Sequence, residues 1–220
     1  MLQPLLTDSS VSPRLRSGVL GFLAVLTVAS IVGAALSPYL LVKSPLLLVA
    51  VSAAAHHVVL AAASVDPLPL IAVATVRRTL TGASAFGLGY LYGPRALSWL
   101  AERYPRLAGA LSWISRMLTR FGLVVLVVAP VPTVALLAGA SRRRLPLVIA
   151  ALLVGHTLWT SVVYYLGESV ASWTDTLTAF LRQHLLTSTL VCVALIALQQ
   201  GVSWVVKRRR ARLEASAEHL

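Results

Sequence analysis

The chain alternates long apolar stretches with short polar or basic segments. The apolar stretches, each about 20 residues long or more, cover residues 17–37, 44–65, 67–93, 121–140, 145–167 and 184–206. A helix of that length spans the hydrocarbon core of a bilayer, which is about 30 Å thick. The pattern therefore predicts an all-α polytopic membrane protein.

Residues 94–120 follow a different pattern, because apolar positions recur at steps of three and four and arginines fill other positions. Pro105 is expected to divide the segment into two short helices. A basic amphipathic helix with Trp99 and Trp113 suits the membrane–water interface. The alternative is an ordinary amphipathic helix that covers the other spans.

Composition points the same way as the pattern. Charged residues make up only 12% of the 220 positions, hydrophobic residues make up 58%, and the mean hydropathy is +0.83. A soluble domain has about a quarter of its residues charged, so this chain is not expected to be a soluble enzyme. We expect one integral membrane domain over 17–206, a cytoplasmic tail over 1–16 and a basic cytoplasmic tail over 207–220. The alternative for the first stretch is a cleaved signal peptide, although the stretch is longer than a usual signal-peptide core.

The distribution of lysine and arginine decides how the stretches are expected to cross. Of 19 such residues, 15 lie in four clusters: the N-terminal tail, segment 94–120, the turn at 141–144 and the C-terminal tail. If all six stretches crossed, segment 94–120 and the C-terminal tail would lie outside, against the positive-inside rule. If 44–65 and 121–140 each enter and return on one side, all four clusters are cytoplasmic.

The charges therefore predict about four transmembrane helices plus two opposed re-entrant hairpins, in a bacterial-type inner membrane with both termini cytoplasmic. Hairpins at membrane depth leave backbone groups unpaired, which is tolerated only inside protein or beside a watery cavity. Two such hairpins, each followed by a span, are typical of inverted-repeat transporters. The endings Tyr90-Leu91-Tyr92-Gly93 and Tyr164-Tyr165-Leu166-Gly167 indicate such a repeat.

The segment 129–167 resembles the second half of the DedA family, also called the VTT or SNARE-associated-domain family. The resemblance rests on the proline-broken hairpin, the two small residues Ala138-Gly139 and the basic turn that follows them. It also rests on the pair Gly155 and Trp159 and on the YYLG ending at 164–167. The first half of the chain is similar more loosely, and the VTT-like core covers about 37–167. The hairpin and helix-packing positions that the resemblance implies are Pro45, Pro130, Gly139, Gly155 and Trp159. Pro132 is a further expected hairpin position, because it also breaks the stretch 121–140.

The resemblance implies movement of lipid, because relatives are implicated in recycling the phosphorylated polyprenyl carrier, in flipping phospholipids or in scrambling them. The family commonly places acidic residues in the first hairpin and arginines in the second. This chain has no Asp or Glu between 37 and 65 and no Arg between 121 and 141. A mechanism that is coupled through those charges is therefore not expected here, whereas a scramblase needs no energy coupling.

The expected function is that of a lipid transporter or scramblase, which moves a phospholipid or a polyprenyl-phosphate-type lipid across the inner membrane. The alternatives are a non-transporting membrane scaffold or assembly factor that keeps the fold, and a small-solute or ion permeation protein. No enzyme motif is present, and no cofactor is expected. The expected partners are anionic or phosphate-bearing lipids; nucleic acid is not expected, and a homo-oligomer is left open.

Arg77 and Arg78 are the sharpest candidates for chemistry, because they fall about ten residues into an apolar stretch, where a charge costs at least a few kcal/mol unless it is paired or wet. Guanidinium groups suit phosphate, so the pair could hold a lipid head group between the hairpins. The alternative is that the span begins later and the pair lies in a hydrated turn or reaches the interface. Arg142, Arg143 and Arg144 are expected to set the topology and to contact anionic lipid.

His56, His57 and His156 lie in or near the apolar stretches and could form a proton or polar relay. For each one, the alternative is a neutral ring hydrogen-bonded to a helix backbone. No carboxylate or thiol joins them, so no metal site is expected. Cys192 is the single cysteine, which excludes a disulfide within the chain.

Overall fold

The computed structural model describes residues 13–103 and 105–217, and every regular element in this part of the chain is an α-helix. The helices are, in chain order, α1 (Pro13–Ala35), α2 (Ser37–Lys43), α3 (Pro45–Val51), α4 (Ala55–Ala62), α5 (Pro67–Arg103), α6 (Pro105–Phe121), α7 (Val124–Val128), α8 (Pro132–Ala140), α9 (Leu145–Ser169), α10 (Ala171–Gln183) and α11 (Leu185–Ala217). The all-α prediction is confirmed for the described residues.

The two predicted tails fall only partly within this description. Residues 1–12 of the expected N-terminal tail and residues 218–220 of the basic tail lie outside the described residues. Helix α1 already begins at Pro13, and α11 continues through the basic segment to Ala217. Helical backbone therefore extends further at both ends than the apolar stretches alone predict.

Three helical segments are long and apolar enough to cross a membrane: Pro13–Ala35, Leu145–Ser169 and Leu185–Ser203. They correspond to three of the predicted spans and are consistent with a membrane protein. Helix α5 is long as well, but it carries Arg77 and Arg78 in its first half and bends at Gly93, whose φ is 58°. Pro105 begins α6, so the expected division at this proline is present.

Both stretches that were predicted as hairpins are interrupted helices. The first is divided into α3 and α4 by residues 52–54, and the second into α7 and α8 by residues 129–131. Pro45 and Pro132 stand at the first positions of α3 and α8, where the missing N–H of proline costs nothing. Pro130 lies within the second break. Neither stretch is a continuous helix.

Two helices lie where the sequence predicts none. Helix α2 lies between the apolar stretches 17–37 and 44–65, and α10 lies between the stretches 145–167 and 184–206. Helix α2 has only seven residues, and in α10 Thr174 is the one residue described as buried. Helix α2 is too short to show a sustained apolar periodicity, whereas α10 carries Trp173, Leu177 and Phe180 at helical spacing, a pattern that the prediction missed.

The two interrupted helices pack on the long helices in a reciprocal way. The first parts stay close to the long helix that follows them, since α3 packs on α5 and α7 on α9. The second parts exchange partners, since α4 packs on α9 and α8 on α5. The two halves are thereby interlocked around a shared interior.

Glycines allow this interlocking because the helix backbones meet directly. A Cβ on Gly89 of α5 would overlap the carbonyl oxygen of Leu136 in α8, and one on Gly139 of α8 would overlap the carbonyl oxygen of Phe86 in α5. On the other side, a Cβ on Gly167 of α9 would lie 2.9 Å from the Cα and the carbonyl oxygen of Val59 in α4.

Cationic side chains gather at one end of this helix bundle. The Arg142 guanidinium lies 4.3 Å from the ring centroid of Tyr90, and that of Arg16 lies 5.9 Å from the ring of Tyr92. Both tyrosines are in α5, far from its first residue. The turn at 141–144 and the beginning of α1 therefore lie at the same end as residues 90–92.

Acidic residues mark the opposite end. The Tyr164 hydroxyl donates to the carbonyl oxygen of Val65, 3.2 Å away, and Val65 is followed by Asp66 just before α5 begins. Glu168 lies one turn beyond Tyr164 in α9. At 1.5 Å per helical residue, Asp66 and Tyr90 are separated by roughly 35 Å, about the thickness of a bilayer core.

Replacing Gly89 by alanine is expected to destabilise the protein by about 1–3 kcal/mol, because the new methyl group meets backbone that cannot move aside. Gly21→Ala is the matched control, since a Cβ at Gly21 of α1 meets nothing within 4 Å. Thermal unfolding of the detergent-solubilised protein measures the difference. Equal unfolding temperatures for the two variants would contradict the described contact between α5 and α8.

Candidate functional site

A cavity of about 690 Å³ lies where the two breaks meet. This volume is in the range of ligand-binding pockets. The walls come from α1, both breaks, α5 and α9, through Ser30, Ser52, Ala53, Ala54, Ala55, Arg77, Arg78, Thr81, Val128, Ala129, Pro130, Val131, Pro132, His156, Trp159 and Val163. None of these lining residues is acidic, so the charge of the wall is positive.

Three consecutive carbonyl groups at the first break are held by side-chain donors. Val51 O accepts from Arg77 Nε at 3.3 Å, and Ala53 O accepts from Arg78 Nε at 2.9 Å. Between them, Ser52 O lies 2.9 Å from His57 Nδ1, which must donate because the carbonyl can only accept. Helix ends leave carbonyls without intrahelical partners, and these three bonds pair the ones exposed where α3 stops.

The second break is held by fewer side chains. Val128 O, at the end of α7, accepts from the indole Nε1 of Trp159 at 2.8 Å. A Cβ on Gly155 would lie 2.7 Å from Val127 O, so glycine is what allows α9 to approach the α7 backbone this closely. The two positions singled out from the sequence, Gly155 and Trp159, thus both contact the end of α7.

Arg77 is buried, and each of its three guanidinium nitrogens donates to protein atoms. Only 7% of its surface is exposed. Besides Val51 O, its guanidinium donates to Thr81 Oγ1 at 2.7 Å and, on α1, to Leu26 O and Ser30 Oγ, each at 2.9 Å. Arg77 therefore ties α1, the first break and α5 together.

Arg78 has a different environment from its neighbour. It is half-buried and lines the cavity. Its Nε is bonded to Ala53 O, but within 13–103 and 105–217 neither terminal nitrogen has a hydrogen-bond partner. A guanidinium in this state can still offer its outer N–H groups to a phosphate or carboxylate. Both arginines line the cavity, but Arg77 is bonded to protein through all three guanidinium nitrogens, whereas Arg78 keeps its two terminal nitrogens available to a ligand.

The three histidines also have different environments. His56 is exposed, whereas His57 is 2% exposed and bonded to backbone, as in the alternative considered for each histidine. His156 is 5% exposed and lines the cavity, and its Nδ1 has no hydrogen-bond partner among the described residues. The structure brings His156, and not the adjacent His56–His57 pair as a unit, to the cavity wall.

The basic turn lies apart from the cavity. Arg142, Arg143 and Arg144 are exposed and do not belong to the cavity lining. Arg142 packs on Tyr90, and Arg143 Nη2 donates to Leu118 O of α6 at 3.3 Å. Leu118 is buried while Trp113 of the same helix is 56% exposed, so α6 both covers other helices and presents an aromatic ring outward.

Two polar residues of the site have no counterpart in the sequence-based prediction. Thr81 is one helical turn after Arg77, a spacing that could have indicated the contact. Ser30 lies in α1, and nothing in the sequence relates it to Arg77, 47 positions away. Among the described residues, no group of three or more His, Cys, Asp or Glu side chains is placed to hold a metal ion.

Comparison of the chain with models of protein families, with curated proteins and with solved structures gives no match.

Arg77→Leu is expected to lower the free energy of unfolding by about 2–4 kcal/mol, because it leaves several buried acceptors without a donor. Arg77→Lys should restore only part of this loss, since an ammonium group cannot reproduce the guanidinium geometry. Arg78→Leu, which removes one described hydrogen bond, should cost about 1 kcal/mol. Denaturant unfolding in mild detergent measures all three. An equal loss for Arg77→Leu and Arg78→Leu would contradict the division of roles.

Proposed function

We propose that this chain is a lipid transporter or scramblase, which moves a phosphate-bearing lipid across the membrane through the cavity between the two interrupted helices. One observation carries the proposal: Arg78 faces that cavity with unpaired terminal nitrogens, and no acidic residue belongs to the described lining. A buried positive wall without a counter-ion is complementary to an anion. A phosphate group matches the guanidinium in charge and in geometry.

In a membrane, a charged arginine and an interrupted helix backbone are both energetically unfavourable, so their presence together calls for a function. An arginine near the middle of a bilayer costs at least a few kcal/mol, so it is normally paired, wet or functional. Irregular backbone at that depth is tolerated only inside protein or beside a water-filled cavity. Both features occur at the same cavity here, which favours a hydrated path for a polar head group.

We further propose that α1, α5 up to Gly93, α9 and α11 cross the membrane, and that the two interrupted helices enter from opposite sides and return. The grouping of Arg16 and Arg142 at one end of the bundle and of Asp66 at the other supports this topology. In it, the cationic end is cytoplasmic in a bacterial-type inner membrane. The reciprocal packing of α4 on α9 and of α8 on α5 favours an inverted repeat.

The resemblance to the DedA family is a second, independent support for lipid as the substrate. Its motif residues Gly155 and Trp159 lie against the end of α7, beside the cavity. The acidic and basic residues that the family commonly places in its hairpins are missing. Unassisted movement of lipid in both directions is therefore the form of the activity that we propose.

Reconstitution of the full chain into liposomes with fluorescent phospholipids tests this function. Wild type should equilibrate the label between leaflets, and Arg78→Gln should slow the movement by about tenfold or more, because a charged hydrogen bond to the phosphate is lost. Arg78→Lys should retain part of the activity, since it keeps the charge. Arg182→Gln, which removes an exposed cation of α10, is the matched control and should be without effect.

The same assay separates the competing functions. A well-folded wild type that leaves the label in place would overturn the proposal and favour a scaffold. Ionic conductance without movement of lipid would favour a permeation protein. Lipid movement that is unchanged in Arg78→Gln would remove the proposed role of Arg78.

Cysteine accessibility tests the proposed topology in a Cys192→Ser background. Cysteines introduced at Asp66 and Glu168 should react with a membrane-impermeant maleimide from outside, and a cysteine at Ser141 only from the cytoplasm. The first re-entrant segment ends just before Asp66, and the second ends just before Ser141. The side from which each cysteine reacts therefore shows whether the segment before it crosses the membrane. Labelling of Ser141→Cys from outside would contradict the topology.

A further inference from the structure

We propose that His156 is a second anion-binding residue of the cavity, which donates a hydrogen bond to the same phosphate group that Arg78 binds. The inference deepens the proposed function and rests on it, because the anion is taken to be the phosphate of the moving lipid. It gives His156 a binding role in place of a proton-relay role.

The first step is the correspondence between α5 and α9. These helices begin at Pro67 and Leu145, 78 positions apart. The same offset relates Gly89 to Gly167, and each of these glycines is the point at which its helix meets the backbone of the other half, α8 and α4 respectively. This register differs by four positions, about one helical turn, from the one that the endings at 90–93 and 164–167 indicate. The offset therefore relates residues in like surroundings.

The same offset relates Arg78 to His156. Each follows a residue that contacts the end of its own first half-helix: Arg77 donates to Val51 O of α3, and Gly155 lies against Val127 O of α7. Both Arg78 and His156 line the cavity. At this pair of equivalent positions, each half thus contributes a nitrogen-bearing side chain to the same space.

The second step is the unsatisfied state of the imidazole. His156 is 95% buried, and its Nδ1 is fully enclosed without a hydrogen-bond partner among the described residues. Because Nδ1 is closed off by protein atoms, the ring nitrogen that is left to face the cavity is Nε2, which has no hydrogen-bond partner among the described residues. Buried polar groups in proteins almost always have a partner, so Nε2 at a cavity wall calls for a ligand or water. His57, by contrast, donates from Nδ1 to Ser52 O, so this nitrogen already has a protein partner.

The third step is the choice between a binding role and a relay role. An imidazole carries at least one N–H in either protonation state, so it can donate to an anion without titrating. A relay would need a second proton-exchanging group nearby, and the described lining contains no carboxylate and no other imidazole. His156 and Arg78 line the same cavity, so one anion in that space can accept hydrogen bonds from both side chains.

Binding of dihexanoyl phosphatidic acid, a short-chain lipid phosphate, to the detergent-solubilised full chain tests the inference by calorimetry. His156→Leu should weaken binding by at least about tenfold, because a donor to a charged group is lost. His156→Gln should restore most of the affinity, since its amide donates but does not titrate. Thr160→Val is the matched control, because the Thr160 hydroxyl is also buried and unpaired, one turn further along α9, but does not line the cavity.

A second measurement does not depend on whether His156→Leu folds. In wild type labelled with ¹⁵N-histidine, the probe should shift the ring signal that is missing in His156→Gln and leave the signal of the exposed His56 unchanged. No shift of the His156 signal at saturating probe would overturn the inference.

The outcomes distinguish this inference from the proposed function. Lipid movement in liposomes together with unchanged binding by folded His156→Leu would refute the role of His156 and leave the function standing. Binding that depends on His156, without lipid movement, would keep the site and refute the function. Failure of His156→Gln to restore binding would refute a donor role, and a wild type that binds no probe would refute the site.

Discussion

The structure depends on pairing the backbone groups that are exposed where two apolar helices stop and start again. Within apolar surroundings, each unpaired carbonyl or N–H costs several kcal/mol. Here the carbonyls at the ends of α3 and α7 are met by side chains of the long helices that follow, Arg77 and Arg78 on α5 and Trp159 on α9. The need to pair these carbonyls explains why polar residues occur in the middle of apolar segments, and it brings both breaks to one cavity.

The same requirement links structure to chemistry. A guanidinium has five N–H groups, and a buried break needs only some of them. Arg77 uses its donors on three helices and becomes part of the framework, whereas Arg78 uses one and keeps the others free. Arg77 and Arg78 are adjacent and chemically identical, but they have different roles. The hydrogen bonds that each one makes to the protein decide which of them can bind a ligand.

Much of the fold could be predicted from the sequence, because apolar length and the prolines fix where helices start and stop. The break at 129–131 and the division at Pro105 follow from such local signals, whereas the break at 52–54 contains no proline or glycine and was expected only from the distribution of charge. Helix α2 could not be predicted because seven residues are too few to show a periodicity, whereas the apolar spacing of α10 was present in the sequence and was overlooked. Of the site, the arginines stood out as charges among apolar residues, but Ser30 and the difference between Arg77 and Arg78 depend on contacts between distant segments.

The two breaks are held by different numbers of side-chain hydrogen bonds, and this difference affects the relative energies of the conformations that a transporter of this kind would adopt. In a protein made of two interchangeable halves, swapping their conformations turns one end state into the other, and the two states have equal energy. Here the first break is fastened by Arg77, His57 and Arg78, and the second by a single indole. Under the proposed function, two such end states would therefore differ in energy, and the protein would move lipid without an energy source while spending unequal times open to the two leaflets.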